Sequence, residues 1–116
     1  MVIEYKQLTV WQKSMDLAEA VYHLTTTLPK DELYGLVSQM RRSVVSIASN
    51  IAEGSKRGSR KEYAHFLRHA YGSVAELETK LLIAQRIYKT KGIEKHLDTI
   101  VEIQKMLSTI IKKLTL

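Results

Sequence analysis

The chain has 116 residues, the size of one ordinary domain, and its 45% apolar and 26% charged residues are the balance of a folded protein, not of a disordered or fibrous one. It contains no cysteine, which excludes disulfides, zinc–cysteine sites and thiol nucleophiles. Eighteen Lys and Arg against twelve Asp and Glu give a formal charge of +6, which favours an acidic partner such as nucleic acid.

No run approaches the roughly 18 apolar residues of a membrane span, and the opening MVIEYKQL lacks the basic-then-apolar pattern of a secretory signal, so a cytoplasmic protein with no membrane partner is expected. Pro29 is the single proline, and Gly35, Gly54, Gly58, Gly72 and Gly92 are the only glycines, so the chain divides into four long segments with helical punctuation. The first, 9–28, opens with Thr9 and Gln12 at capping-box spacing and closes before Pro29. Trp11, Met15, Ala18, Tyr22 and Thr25 form one stripe along it, and Val10, Leu17, Val21, Leu24 and Leu28 form a second beside it. Together they span about half the circumference, more than the ~100° that one buried face requires.

After a turn at 30–35, the second segment, 36–54, continues a stripe of Leu33, Val37, Met40, Val44, Ile47 and Ile51 and stops at Gly54, where a left-handed glycine would end the helix. Asn50 and Glu53 stand beside that end as capping or interface groups. The third, 60–90, opens with Ser59 and Glu62 at capping-box spacing and runs Tyr63, Leu67, Ala70, Val74, Leu77, Leu81, Ala84 and Tyr88, a helix of ~45 Å. The fourth, 93–114, repeats the spacing as Ile93, Leu97, Ile100, Gln104, Leu107, Ile111 and Leu114. Four helices of period near 3.5 with short connections imply a single all-α domain, an antiparallel up-down-up-down left-handed four-helix bundle with crossings of roughly 20°.

The second segment carries little charge for a helix with a wet outer side. Between Leu36 and Glu53 the charged residues are Arg41, Arg42 and Glu53. Val45, Ala48 and Ala52 form a small-residue strip along which another helix could approach. With the wide apolar face of the first segment, this predicts self-association; burial of this helix from two sides within one bundle is the alternative.

The stretches LTVWQKSMDLAEAVYHLT, LPKDELYGLVSQMRRSVVSIASNIAEG, GSRKEYAHFLRHAYGSVAELETKL and KMLSTIIKKL resemble, in order and spacing, the four-helix-bundle proteins associated with 23S rRNA intervening sequences, some of which are mislabelled as ribosomal proteins. The resemblance covers nearly the whole chain. It implies a bundle assembling as a cyclic homopentamer, similar to the accessory protein of diversity-generating retroelements, a basic pentameric barrel that works with a reverse transcriptase and RNA. Val37 stands where the family often has threonine, and Ala48-Ser49 where it often has Pro-Ala. The start and straightness of the second helix are thereby in question.

Candidate chemistry is sparse. Glu62, His65, His69 and Glu76 share one side of the third helix, but that side lies away from the apolar seam and the chain has no second ExxH, so a carboxylate-bridged di-iron site is excluded. His65 and His69 are expected to be solvated surface histidines, with no metal and no cofactor. No GxSxG elbow or Ser-His-acid arrangement exists, and GSKRGS has no GK[ST] ending and follows a helix, not a strand; no catalytic residue and no enzyme are expected.

Arg41 and Arg42 point ~100° apart and cannot share one task. Arg41 is grouped with the cationic set and Arg42 with the interface, one of them expected to pair with Glu76 or with Glu78, which borders the apolar seam. Lys56, Arg57, Arg60 and Lys61 crowd the break between the second and third segments, with Arg68 two turns on and Lys112 and Lys113 far along the chain. A solvated basic loop accounts for them in a monomer, whereas a cyclic assembly of five copies would set about twenty of these cations in a ring that binds polyanions. Tyr63 belongs to the core stripe, so base stacking is not indicated. Two functions stay open: an oligomeric accessory protein that binds the backbone of structured RNA or DNA, and a structural or scaffolding pentamer whose ligand is a protein.

Overall fold

The computed structural model describes residues 4–116. Among them it is all-α, with four helices and no strand: α1 (Thr9–Thr25), α2 (Ser38–Ser55), α3 (Arg60–Tyr88) and α4 (Ile93–Leu114). α1 and α3 each pack against both α2 and α4, in a body 46 × 23 × 20 Å, an arrangement compatible with a four-helix bundle. Among the described residues no helix is long and apolar enough to cross a membrane.

The four–three spacings translate into burial. Leu17, Val21, Met40, Val44, Ile47, Ile51, Leu67, Val74, Leu77, Leu81, Ile100 and Leu107 are sealed in one core. Of the two stripes of the first segment only one is wholly inside: Val10, Leu17, Val21 and Leu24 of α1 and Leu28 beyond its end are buried, while Met15 and Tyr22 on the other are 45% and 43% exposed. Trp11 and Ala18 pack partly against the core and Thr25 is buried, so the uncovered part of this face is Met15 and Tyr22, and Leu33, Tyr34 and Val45 lie exposed near Tyr22.

Several ends differ from expectation. Thr9 does not cap α1, because the residue before the helix is Leu8; the Gln12 amide instead donates to the Lys6 carbonyl at 2.9 Å. α1 stops at Thr25, short of residue 28, because Pro29 disfavours helical backbone just before it. The hydroxyls of Thr25, Thr26 and Thr27 bond back to the carbonyls of Tyr22, His23 and Leu24. The segment expected as a turn is itself wound, as a 3-10 turn at Lys30–Glu32 and a π turn at Leu33–Val37. The change of winding shifts the helical phase, so Leu33 falls outside the core and Tyr34 is 92% exposed.

Glu32 pins this segment. One carboxylate oxygen accepts from the Leu36 amide at 3.3 Å and the other from the Tyr88 hydroxyl at the end of α3. The Tyr88 hydrogen bond, then the Leu36 amide, hold the Glu32 carboxyl below its usual 4.5. The same hydrogen bond raises the Tyr88 phenol above its usual 10.0.

Gly54 does not end α2 in a left-handed conformation; the positive-φ glycines are Gly58 and Gly92. Gly54 is buried within the helix, and a Cβ there would lie 2.7 Å from the Phe66 Cβ and 3.3 Å from the Tyr63 carbonyl oxygen. Its role is close approach of α2 to α3. In α4, Ile103 is sealed inside, whereas Gln104, placed in the seam by the spacing alone, sits half-exposed toward α3.

Candidate nucleic-acid interface

α2 ends at Ser55 and α3 begins at Arg60, leaving a four-residue turn, Lys56–Ser59. Gly58 at φ 86° supplies its left-handed step, and the Ser59 hydroxyl accepts from the Glu62 amide at 3.1 Å, the expected N-cap of α3. Lys56, Arg57, Arg60 and Lys61 are all exposed around this turn.

Their surroundings are more specific than a solvated loop. Arg57 pairs with Glu53 one turn back at 2.5 Å and lies over the Phe66 ring, 4.7 Å from its centroid. The Lys56 ammonium stands 5.7 Å from the centroid of Tyr5. Arg60 donates to the Lys113 carbonyl at 2.6 Å, satisfying an acceptor in the last turn of α4. That bond brings Lys112 and Lys113, remote in sequence, to the same end of the molecule as the turn. Lys61 joins none of the ion pairs among the described residues.

From this end a groove runs between α3 and α4. Arg68, about 12 Å along α3 from Arg60, lines it with Tyr71, Ser108 and Lys112. Lys105 and Gln104 extend it away from the turn. Tyr71 is 42% exposed and supplies the accessible aromatic missing from the sequence expectation. Tyr63 is buried as expected, and burial pushes its phenol up. The signal for Tyr71 was present: it falls off the stripe of Leu67, Ala70 and Val74, so an aromatic there had to face outward or a neighbouring helix. Lys112 and Lys113 were visible as cations in the sequence, but their place beside the turn emerged only once the end of α4 was set against the start of α3.

Arg41 does not join the set. It lies near the start of α2, about 20 Å along the helix from Lys56. Its guanidinium donates to the Thr25 hydroxyl at 3.0 Å and the Tyr22 carbonyl at 3.4 Å, with Cζ 4.6 Å from the Tyr22 ring centroid. Arg42 is exposed. Neither pairs with Glu76 or Glu78 within the chain: Glu76 faces Lys80 at 3.6 Å, and Glu78 is half-exposed and joins none of the ion pairs among the described residues. The reason is rotational, since Arg41 projects toward α1 whereas both glutamates are on α3.

The interface set is also divided. Val45 is 45% exposed and Ala52 partly so, but Ala48 is already buried within the chain at 7%. Asn50 does not cap the helix end; its amide donates to the Ser46 carbonyl at 2.8 Å and hydroxyl at 2.9 Å, and Ser46 meets Ser73 of α3 at 2.8 Å. This polar bridge and Gly54 tie α2 to α3. Among the described residues no group of three or more His, Asp or Glu side chains is arranged to hold a metal.

The family model for the 23S rRNA-intervening sequence protein matches residues 6–109. A solved structure with a similar fold is that of a protein of unknown function from the S23 ribosomal protein family of Bacteroides thetaiotaomicron VPI-5482, with a TM-score of 0.79 and 28% identity over 90% of this chain and 99% of that one. No curated protein matches the chain. With the family match spanning nearly its whole length and the helical fold shared, this chain belongs to the 23S rRNA-intervening sequence protein family.

Proposed function

We propose that this protein is a non-enzymatic accessory protein that self-associates and binds the backbone of structured RNA or DNA through its cationic end. The observation that carries this function is the gathering of Lys56, Arg57, Arg60 and Lys61 with Lys112 and Lys113, which the Arg60 to Lys113 bond brings together from opposite parts of the chain. The net charge of +6 acts in the same direction. Contacts to phosphate need no sequence readout, and the exposed Tyr71 between Arg68 and Lys112 adds a platform for an unpaired base.

In this proposal the chain is one up-down-up-down domain of a cyclic oligomer, a pentamer as in the retroelement accessory protein that the sequence resembles, acting in the cytoplasm. The uncovered Met15, Tyr22, Leu33, Tyr34 and Val45 supply the apolar surface for association. Repetition around the ring multiplies the cationic end, and a reverse transcriptase or another RNA-handling protein is a fitting partner. A second function, a scaffold for a protein ligand, is favoured by Leu82, Ile83 and Ile87, which stand exposed on α3.

Binding to structured rRNA fragments measured across a salt series separates the two. Wild type is expected to lose affinity steeply with salt, and replacing Lys56, Arg57, Arg60 and Lys61 by Ala should flatten the dependence by about one unit of slope per phosphate contact removed. Replacing Lys112 and Lys113 should act in the same direction. Absent binding, or binding indifferent to these changes in variants that melt like wild type, refutes nucleic-acid recognition. A monomer by light scattering at micromolar concentration refutes the ring.

A further inference from the structure

We propose that His65 and His69, on the outer side of α3, form a chelating site for a late first-row divalent cation, Zn²⁺ or Cu²⁺. Residues at i and i+4 stand one above the other on a helix, and here the two Nε2 atoms are 3.2 Å apart, with ring centroids at 4.6 Å and planes at 85°. Two imidazole nitrogens each about 2.0–2.1 Å from one zinc are separated by about 3.3–3.4 Å at the tetrahedral angle and by about 2.8–3.0 Å at a right angle. The observed separation lies between these values, so a shared ion requires the rings to turn until both lone pairs converge but little change in the spacing of the two nitrogens. Without an ion the same contact has the geometry of a hydrogen bond whose direction is set by the tautomers of the two rings. Coordination through both Nε2 atoms places the proton of each ring on Nδ1, so the ring that had donated exchanges its Nε2–H for an Nδ1–H facing solvent.

The surroundings favour this geometry over wandering surface side chains. Phe66 stands edge-on to His65 at 5.7 Å between centroids and 6.4 Å from His69. Its own ring is covered by the Arg57 guanidinium. Rings flanked by an anchored neighbour have less freedom to lose on binding. Both histidines are exposed, so water completes the coordination.

Isothermal titration of tag-free protein with ZnCl₂ and with CuCl₂ tests this site, comparing wild type with His65→Ala, His69→Ala and, as a control, His23→Ala. One ion per chain is expected, Cu²⁺ tighter than Zn²⁺, with affinity reduced about 100-fold when either member of the chelating pair is removed and unchanged in His23→Ala. Unchanged affinity in both pair variants, or no binding of either metal at millimolar concentration, overturns the site. Both substitutions are at exposed helical positions where alanine favours the helix, and thermal melts verify folding. A second readout needs no substitution: substoichiometric Cu²⁺ should broaden the ring resonances of His65 and His69 before those of His23 and His96, and equal broadening of all four histidines also overturns it.

Discussion

Gly54→Ala should destabilise the protein, although it places the best helix former in the last turn of a helix. A Cβ at position 54 would lie 2.7 Å from the Phe66 Cβ, 3.1 Å from the Tyr63 Cδ1 and 3.3 Å from the Tyr63 carbonyl oxygen. Carbon atoms rest at about 3.5–4.0 Å, so α2 and α3 must separate by about 1 Å there. Rotamer changes give little relief, because a Cβ and a carbonyl oxygen move only with their backbone. Overpacking of this kind costs about 1–3 kcal/mol, against a helix-propensity gain of about 1 kcal/mol. With the contact this short, a net loss of about 1–2 kcal/mol is expected. Gly72→Ala is the internal control: Gly72 is in α3, is exposed, and its added Cβ would meet nothing within 4 Å. There the gain of about 1 kcal/mol is unopposed. The same chemical change should therefore shift the melting temperature in opposite directions, with a gap of roughly 8 °C or more in melts at one protein concentration. A Gly54→Ala protein that melts at or above wild type would refute the close-approach account of this glycine.

Arg41→Ala should cost about 1–2 kcal/mol in urea unfolding, from its hydrogen bonds and ring contact with the end of α1, whereas Arg42→Ala at an exposed position should change little. Ile103→Ala should cost about 2–5 kcal/mol and Gln104→Ala little, a contrast that reverses if the fourth-helix seam runs through Gln104. Because the folded Glu32 titrates below 4.5, its contribution to stability is present above that pH and lost as pH falls through the lower folded value. The raised Tyr88 contributes below pH 10.0, and that stability is lost as pH rises through its folded value. Tyr88→Phe should weaken both dependences in melting curves against pH, and unchanged curves would remove the Glu32–Tyr88 link from the account. His96, lowered by burial and then by Lys95, should add a loss of stability as pH falls below 6.5, removed in His96→Gln.

The four helices and most of their buried sides were legible in the sequence, because burial of a helix face imposes a period that a linear reading detects. Leu67, Val74, Leu77 and Leu81 were all identified in this way and are all sealed. The errors fell where local winding departs from an ideal helix or where two residues compete for the seam. Leu33 lost its place to the π turn, and Gln104 yielded to Ile103. The cations of the α2–α3 turn were legible as a cluster because they are consecutive, but their partners were not.

By itself the sequence determined the helical class, the punctuation near each turn and the apolar stripes, all properties of neighbouring residues and their spacing. Only the tertiary structure decided which side chains meet across helices. Arg60 reaches the carbonyl of Lys113 across 53 positions, and Tyr88 reaches Glu32 across 56. It likewise directed Arg41 to α1 and made Gly54 a contact point instead of a helix stop. The physical reason is that such contacts depend on the rotation and axial register of one helix against another, to within an ångström or so. The hydrophobic effect that writes the periodic pattern is non-directional and carries no such detail.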